Sequence, residues 1–518
     1  MRVLLLNPEK PETFWNLKQT CLSKGRKTLA PPLGLITVAA LLPPQWDCRL
    51  VDLNTGPVAE DDWRWADLVM ISGMLVQKTN LLKLTGEAKE RGKPVVVGGP
   101  YPTSLPQEVL AAGADFLTRG EAETIMPRLL SALEENRKGV IEEEGKPDLT
   151  QSPIPRFDLL KLNDYVTMGL QTSRGCPFNC EFCDVVNLNG RKPRHKTPDQ
   201  VVAELATIYN LGWRGEVFIC DDNFVGYPNQ ARAILGRLIP WLKSHGEPFD
   251  FWTQTSVNLG QDLEMIDLLT AANFATVFIG VESPDEEVLK FNRKFQNVKN
   301  PLGHSLTNIC ANGLPLMASF IIGFDNEKKG VDQRICAFVE ENHLPVVVLN
   351  ILQALPNTRL WDRLQKEGRL IEKRTSGDTQ DYLLNYIPTR PAAEIMGEYR
   401  AAIDRLYEPS RYLERAYRYF LAMRPTRCAL SKKNGDAQKS LVTGPSRFQR
   451  TKLRDLAVLL RLIWGHGVVA DYRSQFWRQL VGIYRQNPSR LVKYLICLAM
   501  GENMFRLREE VLRKVAVN

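Results

Sequence analysis

Two stretches of the chain alternate short apolar runs with amphipathic segments, and the remainder reads as helix. In the first stretch, Val3 to Leu6, Cys48 to Val51, Leu68 to Ser72, Pro94 to Val97 and Asp115 to Leu117 are strand-length runs bounded by Asn, Asp, Gly or Pro. Between them, Leu33 to Leu42, Asn80 to Arg91 and Thr124 to Glu135 carry the spacing of helices with one apolar face. Strands alternating with helices over residues 1–140 predict an α/β domain, a parallel doubly wound sheet. A ligand of such a sheet sits beyond the carboxyl ends of its strands. The loops there carry Asn7 and Pro8, then Pro32, Leu33 and Gly34, then Asp52 to Asn54, then Ser72, Gly73, Met74 and Leu75, then Gly98, Gly99 and Pro100, and last Gly120 and Glu121. Glycines let a backbone approach a large ligand. No G-x-G-x-x-G follows the first strand, which counts against a nicotinamide domain.

Residues 141–165 break the periodicity with Glu142 to Lys146 and with Pro147, Pro153 and Pro155, as a linker does. From 166 to 390 the alternation resumes at the spacing of a parallel barrel. Tyr165 to Leu170, Val217 to Cys220, Phe251 to Ser256, Thr276 to Gly280, Met317 to Ile322 and Val346 to Leu349 are its expected strands, followed by the turn LPNT at 355–358. Residues 391–518 are helical in pattern. Ala393 to Met423 bears a stripe of Tyr399, Tyr407, Tyr412, Tyr417, Tyr419 and Phe420, which reads as core or as the roof of an apolar pocket. Ser431 to Ser446 reads as a polar, mobile insert.

At 518 residues the chain is too long for one core. Its apolar share of 44% and charged share of 24% are those of a globular protein. MRVLLLNPEK is a poor signal peptide, no uncharged apolar run is long enough to span a bilayer, and the expected compartment is the cytoplasm. The formal net charge is +8, yet Arg447 to Asn518 alone has fourteen Lys or Arg against five Asp or Glu. The excess is therefore in the tail, where Trp464, Phe476, Trp477, Tyr484 and Phe505 accompany it. Such a tail suits either the inner face of an anionic membrane, contacted peripherally, or a solvated basic face. No nucleic-acid module is recognisable, and no nucleic-acid partner is expected.

The chemistry concentrates at TSRGCPFNCEFCD, residues 172–184. Cys176, Cys180 and Cys183, spaced C-x3-C-x2-C, place three thiols on one loop. A cubane cluster normally takes four cysteines, so three leave one iron open to a chelating substrate. The alternatives are a Cys3His zinc site completed by His195 and, less in keeping with a cytoplasmic chain, a disulfide. Cys21, Cys48, Cys220, Cys310, Cys336, Cys428 and Cys497 read as buried small apolar residues. Arg191 and Arg194 read as neutralising a carboxylate or phosphate, or as a solvated basic turn.

With Arg174, Gly175, Pro177 and Phe182 around the cysteines, the loop resembles that of the radical S-adenosylmethionine (SAM) superfamily. The doubly wound domain ahead of it, with PPLGL, VVVGGP and RGEAE, resembles the flavodoxin-like cobalamin-binding domain of the class B group of that superfamily. The resemblance covers roughly residues 1–425. It implies a Rossmann-type cobalamin domain (1–140), a linker (141–165), a partial (β/α)6 TIM-type barrel (166–390) and a helical C-terminal region (391–518). It further implies a 4Fe-4S cluster on Cys176, Cys180 and Cys183 whose open iron chelates SAM. Phe182, Asp221, Asp222, Asn223, Gln254, Gly280 and Glu282 then meet SAM. Cobalamin meets Pro32, Leu33, Gly34, Asp52, Ser72, Gly73, Met74, Leu75, Gly98, Gly99, Pro100, Gly120 and Glu121. The D-x-H-x-x-G motif of methionine-synthase type is absent, and the first histidine of the chain is His195. Cobalt therefore has no lower histidine ligand from this domain.

The activity implied is transfer of methyl from methylcobalamin to an unactivated carbon, after one-electron cleavage of SAM to a 5'-deoxyadenosyl radical. Cyclisation, ring rearrangement or oxidation is the alternative, and a non-catalytic zinc protein a third. FWNLK and PPLGLITVAALLP look closest to the hopanoid C-2 methylase type. That implies a small-molecule substrate of lipid or terpenoid kind and an electron donor such as ferredoxin or flavodoxin.

Overall fold

The computed structural model describes residues 1–13, 16–380, 382–433 and 453–514. Phe14 and Trp15 of FWNLK, and residues 434–446 of the polar insert, lie outside the described residues. The chain divides into two compact units, Met1–Gln230 with Gln353–Ile387, and Ala231–Leu352 with Pro388–Asn518.

In the first unit, β1 (Arg2–Asn7), β2 (Asp47–Asp52), β3 (Leu68–Ser72), β4 (Val95–Gly98), β5 (Phe116–Arg119) and β6 (Gly139–Glu142) form a sheet in the order β2-β1-β3-β4-β5-β6. Every pair is parallel. All the strands expected in this region form, and alternate residues sort onto two cores. Val3, Leu5, Met70, Val96 and Phe116 meet the helices at Leu33–Leu41 and Ala122–Glu134. Leu4, Leu6, Val69, Ile71, Val97 and Leu117 meet the helix at Lys78–Glu90. A sheet covered on both faces explains why its strands are continuous apolar runs. Strand order reverses at β1, so the crevice between β1 and β3 is where a doubly wound sheet opens for a ligand.

Two features depart from the expectation. The strand β6 falls partly in the presumed linker, because GVIE is too short and too charged to stand out. The rest of that segment is packed, not loose. Leu149 and Phe157 are almost fully buried, each in a single helical turn that follows a proline closely, an arrangement without a period to detect.

Six strands of the second alternation also form, with the first two in this unit. The strand β7 (Thr167–Leu170) opens the region, β8 (Ser173–Arg174) and β9 (Arg194–His195) make a short antiparallel pair, and β10 (Gly215–Ile219) runs parallel to β7. The helix Pro198–Asn210 between β9 and β10 starts at a reciprocal cap, with the Gln200 N–H donating to Thr197 Oγ1 and the Thr197 N–H donating to Gln200 Oε1.

The second unit holds β11 (Phe249–Thr255), β12 (Phe274–Glu282), β13 (Leu316–Ile322) and β14 (Val347–Ile351), parallel and paired in sequence order. The aromatic stripe resolves as core. Tyr407 Oη donates to the Val347 carbonyl at 2.8 Å, Tyr399 Oη to that of Leu349 at 3.3 Å, and Tyr419 Oη accepts from the Leu316 N–H at 2.8 Å. Tyr417 is the half-exposed exception. Of the cysteines expected inside, Cys21, Cys310, Cys336 and Cys497 are buried, Cys48 and Cys220 half-buried, and Cys428 exposed. Cys428 lies in the short helix Arg427–Lys433, whose polar sequence gives it no apolar face to join. Among the described residues no helix is long and apolar enough to cross a membrane.

After β13 the chain turns at Gly323, whose N–H donates to Glu327 Oε2 at 3.0 Å. Glu327 is 3% exposed, its other oxygen has no hydrogen-bond partner, and Arg390 at 3.4 Å is held closer by Glu398 at 2.7 Å. Burial, the largest cause, pushes this carboxyl up to about 7 from 4.5. The folded state therefore keeps a proton that the unfolded chain releases between those two values. Its stabilisation is complete below about pH 4.5 and is lost as pH rises through about 7. Urea unfolding of the native chain should show a decline of up to about 3 kcal/mol over that window that Glu327→Gln lacks. Equal pH slopes in the two proteins would contradict this account.

Candidate cluster and cofactor site

The cysteine loop leaves β8 at Gly175, whose φ is +101°, and any Cβ there would stand 3.0 Å from the Gly190 carbonyl oxygen and 3.1 Å from that of Lys192. Only glycine fits. The Cys176 N–H donates to the Gly190 carbonyl, and the Cys183 N–H to that of Cys180, closing the loop on itself. Cys176, Cys180 and Cys183 are half-buried, and none of them is in a disulfide. Among the described residues no three His, Cys, Asp or Glu side chains are already gathered as a metal site. What fits iron is the donor set, three thiols on one closed loop. Burial first, then the Asp184 carboxylate, push the Cys183 thiol above its ordinary range, and positive iron is the charge that would make it a ligand.

The loop is fastened at its base and at its tip. At the base, Arg174 donates to Glu121 at 2.7 Å and to both oxygens of Glu123 at 2.8 and 2.9 Å, while Arg194 grips both oxygens of Glu121 at 2.7 and 3.0 Å. Lys146 adds a third cation at 3.5 Å from Glu121. Arg194 thus neutralises a carboxylate rather than forming a solvated turn, whereas Arg191 is exposed. At the tip, Glu181 accepts from Arg363 at 2.8 Å, and its carbonyl accepts the Leu360 N–H at 3.1 Å. Those partners follow LPNT, whose Thr358 caps their helix through the Trp361 N–H.

The acidic turn after β10 also serves the loop. Asp221, 1% exposed, accepts from the Thr172 N–H, Thr172 Oγ1 and Ser173 Oγ at 2.5 to 2.7 Å. Asp222 accepts from the Gly175 N–H at 2.8 Å and from Asn189 at 3.0 Å. Burial raises both carboxyls, and these donors pull them back. Asn223 differs, because its Oδ1 is buried without a hydrogen-bond partner. It lies in the turn closed by Gly226, where an added Cβ would meet Pro177 of the cysteine loop at 3.2 Å. Phe182 is half-buried. His195 is held in β9 and stacks on Tyr227 at 5.6 Å.

The ends of β1, β2 and β3 are joined by one polar network. Asp52 accepts from Asn7 at 2.8 Å, from Asn54 at 2.7 Å and from Tyr165 Oη at 3.2 Å. Gln77 donates to Asn7 and to the Pro8 carbonyl and accepts from the Met74 N–H. Fixing the main chain at Met74 sends its side chain outward, 55% exposed, whereas Leu75 joins the core. At the β4 turn, Gly99 has φ +101°, and an added Cβ would meet Ser72 Oγ at 2.5 Å. Gly98 lies against Thr118, and Gly120 against Glu143, which accepts the Glu121 N–H. Leu33 lies beside Gly169 of β7, and the half-buried Pro32 and the exposed Gly34 flank it. A floor of glycine backbone with one exposed thioether fits the broad face of a corrin.

Sequence reasoning missed Lys10. Burial pushes its ammonium down, Asp52 and then Cys220 push it back up, and only its position after a strand end pointed to it. In the second unit, Gln254 is exposed at the end of β11, and the Oγ1 of its neighbour Thr255 is buried without a hydrogen-bond partner. After β12, Glu282 has φ +67° and is paired to Lys294 at 2.5 Å, directly against Gly280. Asn297 donates to the Gly280 and Val281 carbonyls, leaving its Oδ1 buried and without a hydrogen-bond partner. Left-handed backbone at a non-glycine residue is a strain that gathers at functional sites.

Family models match the chain in the same order: a B12 binding domain over residues 24–130, the radical SAM superfamily over 170–330, and a domain of unknown function (DUF4070) over 358–516. The hopanoid C-2 methylase of Rhodopseudomonas palustris (strain TIE-1) is 31% identical over 484 residues, 92% of this chain and 88% of that protein. The chain belongs to the cobalamin-binding, class B radical SAM family. An uncharacterized methyltransferase of Synechocystis sp. is 45% identical over 516 residues, 99% of this chain and 93% of its own. Among solved structures, the cobalamin-dependent SAM radical enzyme OxsB, with aqua-cobalamin and SAM bound, gives a TM-score of 0.59 at 16% identity, covering 100% of this chain and 80% of that one. The radical SAM methyltransferase TsrM of Kitasatospora setae, with tryptophan substrate and a SAM analogue bound, gives 0.56 at 17% identity, covering 71% and 76%. These two likenesses show a shared fold. This class B member is thus an enzyme of methyltransferase kind whose cofactors are a 4Fe-4S cluster, SAM and cobalamin. The zinc reading falls with it.

Removing Arg174 would leave Glu121 and Glu123 buried with less than their full complement of cations. Arg174→Ala should destabilise the chain by about 3 to 5 kcal/mol in urea unfolding, while Arg191→Ala, at an exposed guanidinium, should cost well under 1 kcal/mol. Similar losses in the two variants would show that the network does not carry the loop.

Proposed function

We propose that this enzyme methylates an unactivated carbon of a lipid-like, terpenoid substrate at the cytoplasmic face of a membrane. The observation that carries the reading is the match to the hopanoid C-2 methylase over 92% of the chain. When bound, the three cofactors supply reductive cleavage of SAM, a 5'-deoxyadenosyl radical and a methyl group held on cobalt; the electron donor would be a ferredoxin or flavodoxin.

The chain's residues have the task of holding and shielding. Cys176, Cys180 and Cys183 would ligate three irons and leave the fourth for SAM. The orphan acceptor of Asn223 suits the ammonium of SAM, a donor, better than the engaged Asp221 and Asp222, which hold the loop for it. Phe182 would flank the adenine, while Gln254, Thr255, Gly280 and Glu282 offer acceptors suited to ribose hydroxyls. Pro32, Leu33, Gly34, Asp52, Ser72, Gly73, Met74, Leu75, Gly98, Gly99, Pro100, Gly120 and Glu121 would form the cobalamin floor and its support, with Met74 toward the corrin. A radical abstracts hydrogen without a base, so rigid placement and exclusion of water are what such a site must provide. The cyclase alternative has a specific relative, the anaerobic magnesium-protoporphyrin IX monomethyl ester cyclase of Synechocystis, 25% identical over 57% of this chain.

Lipid extracts of cells with and without the gene should differ by a species heavier by one methylene unit. Loss of hydrogen or gain of oxygen would favour the cyclase-like reading instead. Replacing Cys176, Cys180 and Cys183 together by Ala should abolish 5'-deoxyadenosine formation and leave the cobalamin absorption spectrum in place; continued cleavage would move the cluster elsewhere.

A further inference from the structure

Of the 22 large apolar side chains exposed among the described residues, ten lie between Leu459 and Ile496, all in the second unit. Trp464, Val469 and Tyr484 are each more than 60% exposed. The helix Arg473–Gln486 shows how this arises. Phe476, Gln479 and Ile483 form its buried face. Trp477, Val481 and Tyr484, spaced four and three residues apart, form a second apolar face that is 43 to 65% exposed. An amphipathic helix of a free-standing domain would put polar residues there.

The turn before this helix presents the same surface. Gly465–Val469 is a π-helical turn, a geometry retained mostly where a position matters. It is held from beneath, because Trp477 Nε1 donates to the Gly467 carbonyl at 2.9 Å and the buried His466 lies 3.1 Å from Tyr472 Oη. Val468 and Val469 are thereby turned outward on a rigid support.

Charge identifies the occupant. Leu459 to Ile496 contains six Lys or Arg and one acidic residue, Asp471. Arg473, Arg478 and Arg485 are exposed beside the apolar residues, and none has an ion pair among the described residues. Two copies of this chain joined through the patch would bring like guanidiniums together. Nucleic acid would leave the valines and leucines in water. An anionic bilayer satisfies both components, since aliphatic groups enter the acyl boundary, Trp and Tyr sit at headgroup depth, and arginines meet lipid phosphates.

We propose that Leu459 to Ile496, with Trp464, Val469, Trp477 and Tyr484 as its apolar anchors and Arg473, Arg478 and Arg485 as its cations, is a docking surface for an anionic lipid bilayer. This assigns a task to part of the region matched only by a domain of unknown function, and it stands whether or not the reaction is methyl transfer.

Flotation of the full-length holoenzyme with vesicles tests it without turnover. The enzyme should float with phosphatidylcholine vesicles that contain phosphatidylglycerol, should float far less with phosphatidylcholine alone, and should be released by salt. The Trp fluorescence should shift to the blue on binding. Each cation near an anionic surface adds on the order of fivefold in partitioning, so the pair Arg473→Glu and Arg485→Glu should weaken binding by about 25-fold or more. Trp464→Ser with Trp477→Ser should reduce binding and abolish the blue shift, while cobalamin content and SAM cleavage stay those of the parent. The proposal is overturned by equal flotation with both vesicle types, by no flotation, or by variants that bind as the parent does. It is also overturned if light scattering reveals a dimer that the tryptophan variant loses, which would make the patch an interface between copies.

Discussion

The site depends on one buried joint, the carboxylates of Glu121 and Glu123 against the guanidiniums of Arg174 and Arg194. Such a joint contributes little net stability, because desolvating the ions offsets most of their attraction. Its consequence is positional. Glu121 follows β5 of the doubly wound sheet, while Arg174 is in β8 and Arg194 in β9, on either side of the cysteines. The fork of Arg194 on Glu121 and that of Arg174 on Glu123, with a further Arg174 bond to Glu121, leave the loop one orientation relative to the strand ends of that sheet, and the Asp222 contact to the Gly175 N–H removes its remaining freedom to twist. A cluster and a corrin must be placed relative to one another to fractions of an ångström, and charge-assisted bidentate bonds are the stiffest non-covalent means available.

The fold was largely legible in the sequence because its strands are buried on both sides. Short apolar runs with Gly or Asp at their ends marked β1 to β5 and the later strands to within a residue or two, and spacing alone exposed the cysteine loop. What stayed hidden lacks periodicity. The strand β6 is four residues of mixed character, and Leu149 and Phe157 anchor their segment singly among prolines. No pattern announces an isolated anchor. Partner identity was hidden as well: that Glu121 pairs with Arg174 and Arg194, and which guanidinium meets which carboxylate, depends on topology that spacing does not encode.

Asp221, Asp222 and Asn223 show the limit most sharply. An acidic turn at a strand end reads as a binding site for a cation, and the two carboxylates in it are more obvious partners than the neutral amide of Asn223. In the structure donors of the very loop they support engage both oxygens of Asp221 and the Oδ2 of Asp222, and among the three only Asn223 has a buried acceptor without a hydrogen-bond partner. Burying an unmatched amide oxygen costs on the order of 1 to 3 kcal/mol, a cost that a donor arriving with a ligand would offset. Saturated groups build sites; unsaturated ones are left for ligands.

The same reasoning applies to apolar surface in the tail. The stripe of tyrosines from Tyr399 to Tyr419 and the residues from Trp464 to Ile496 look alike in sequence, aromatic side chains among arginines at helical spacing. Tyr399, Tyr407, Tyr412 and Tyr419 are buried with their hydroxyls bonded to backbone, so that surface has already found its partner within the chain. Trp464, Trp477 and Tyr484 leave 43 to 65% of their surface exposed, although the helix that carries Trp477 and Tyr484 already has a buried face of its own in Phe476, Gln479 and Ile483. Leaving a Trp or Tyr in that state forfeits roughly 25 cal/mol for each Å² that could have been buried. Such a loss is tolerable in a folded chain when the missing contact is made with something else, and a surface of mixed aromatic and cationic character is matched by an anionic lipid interface.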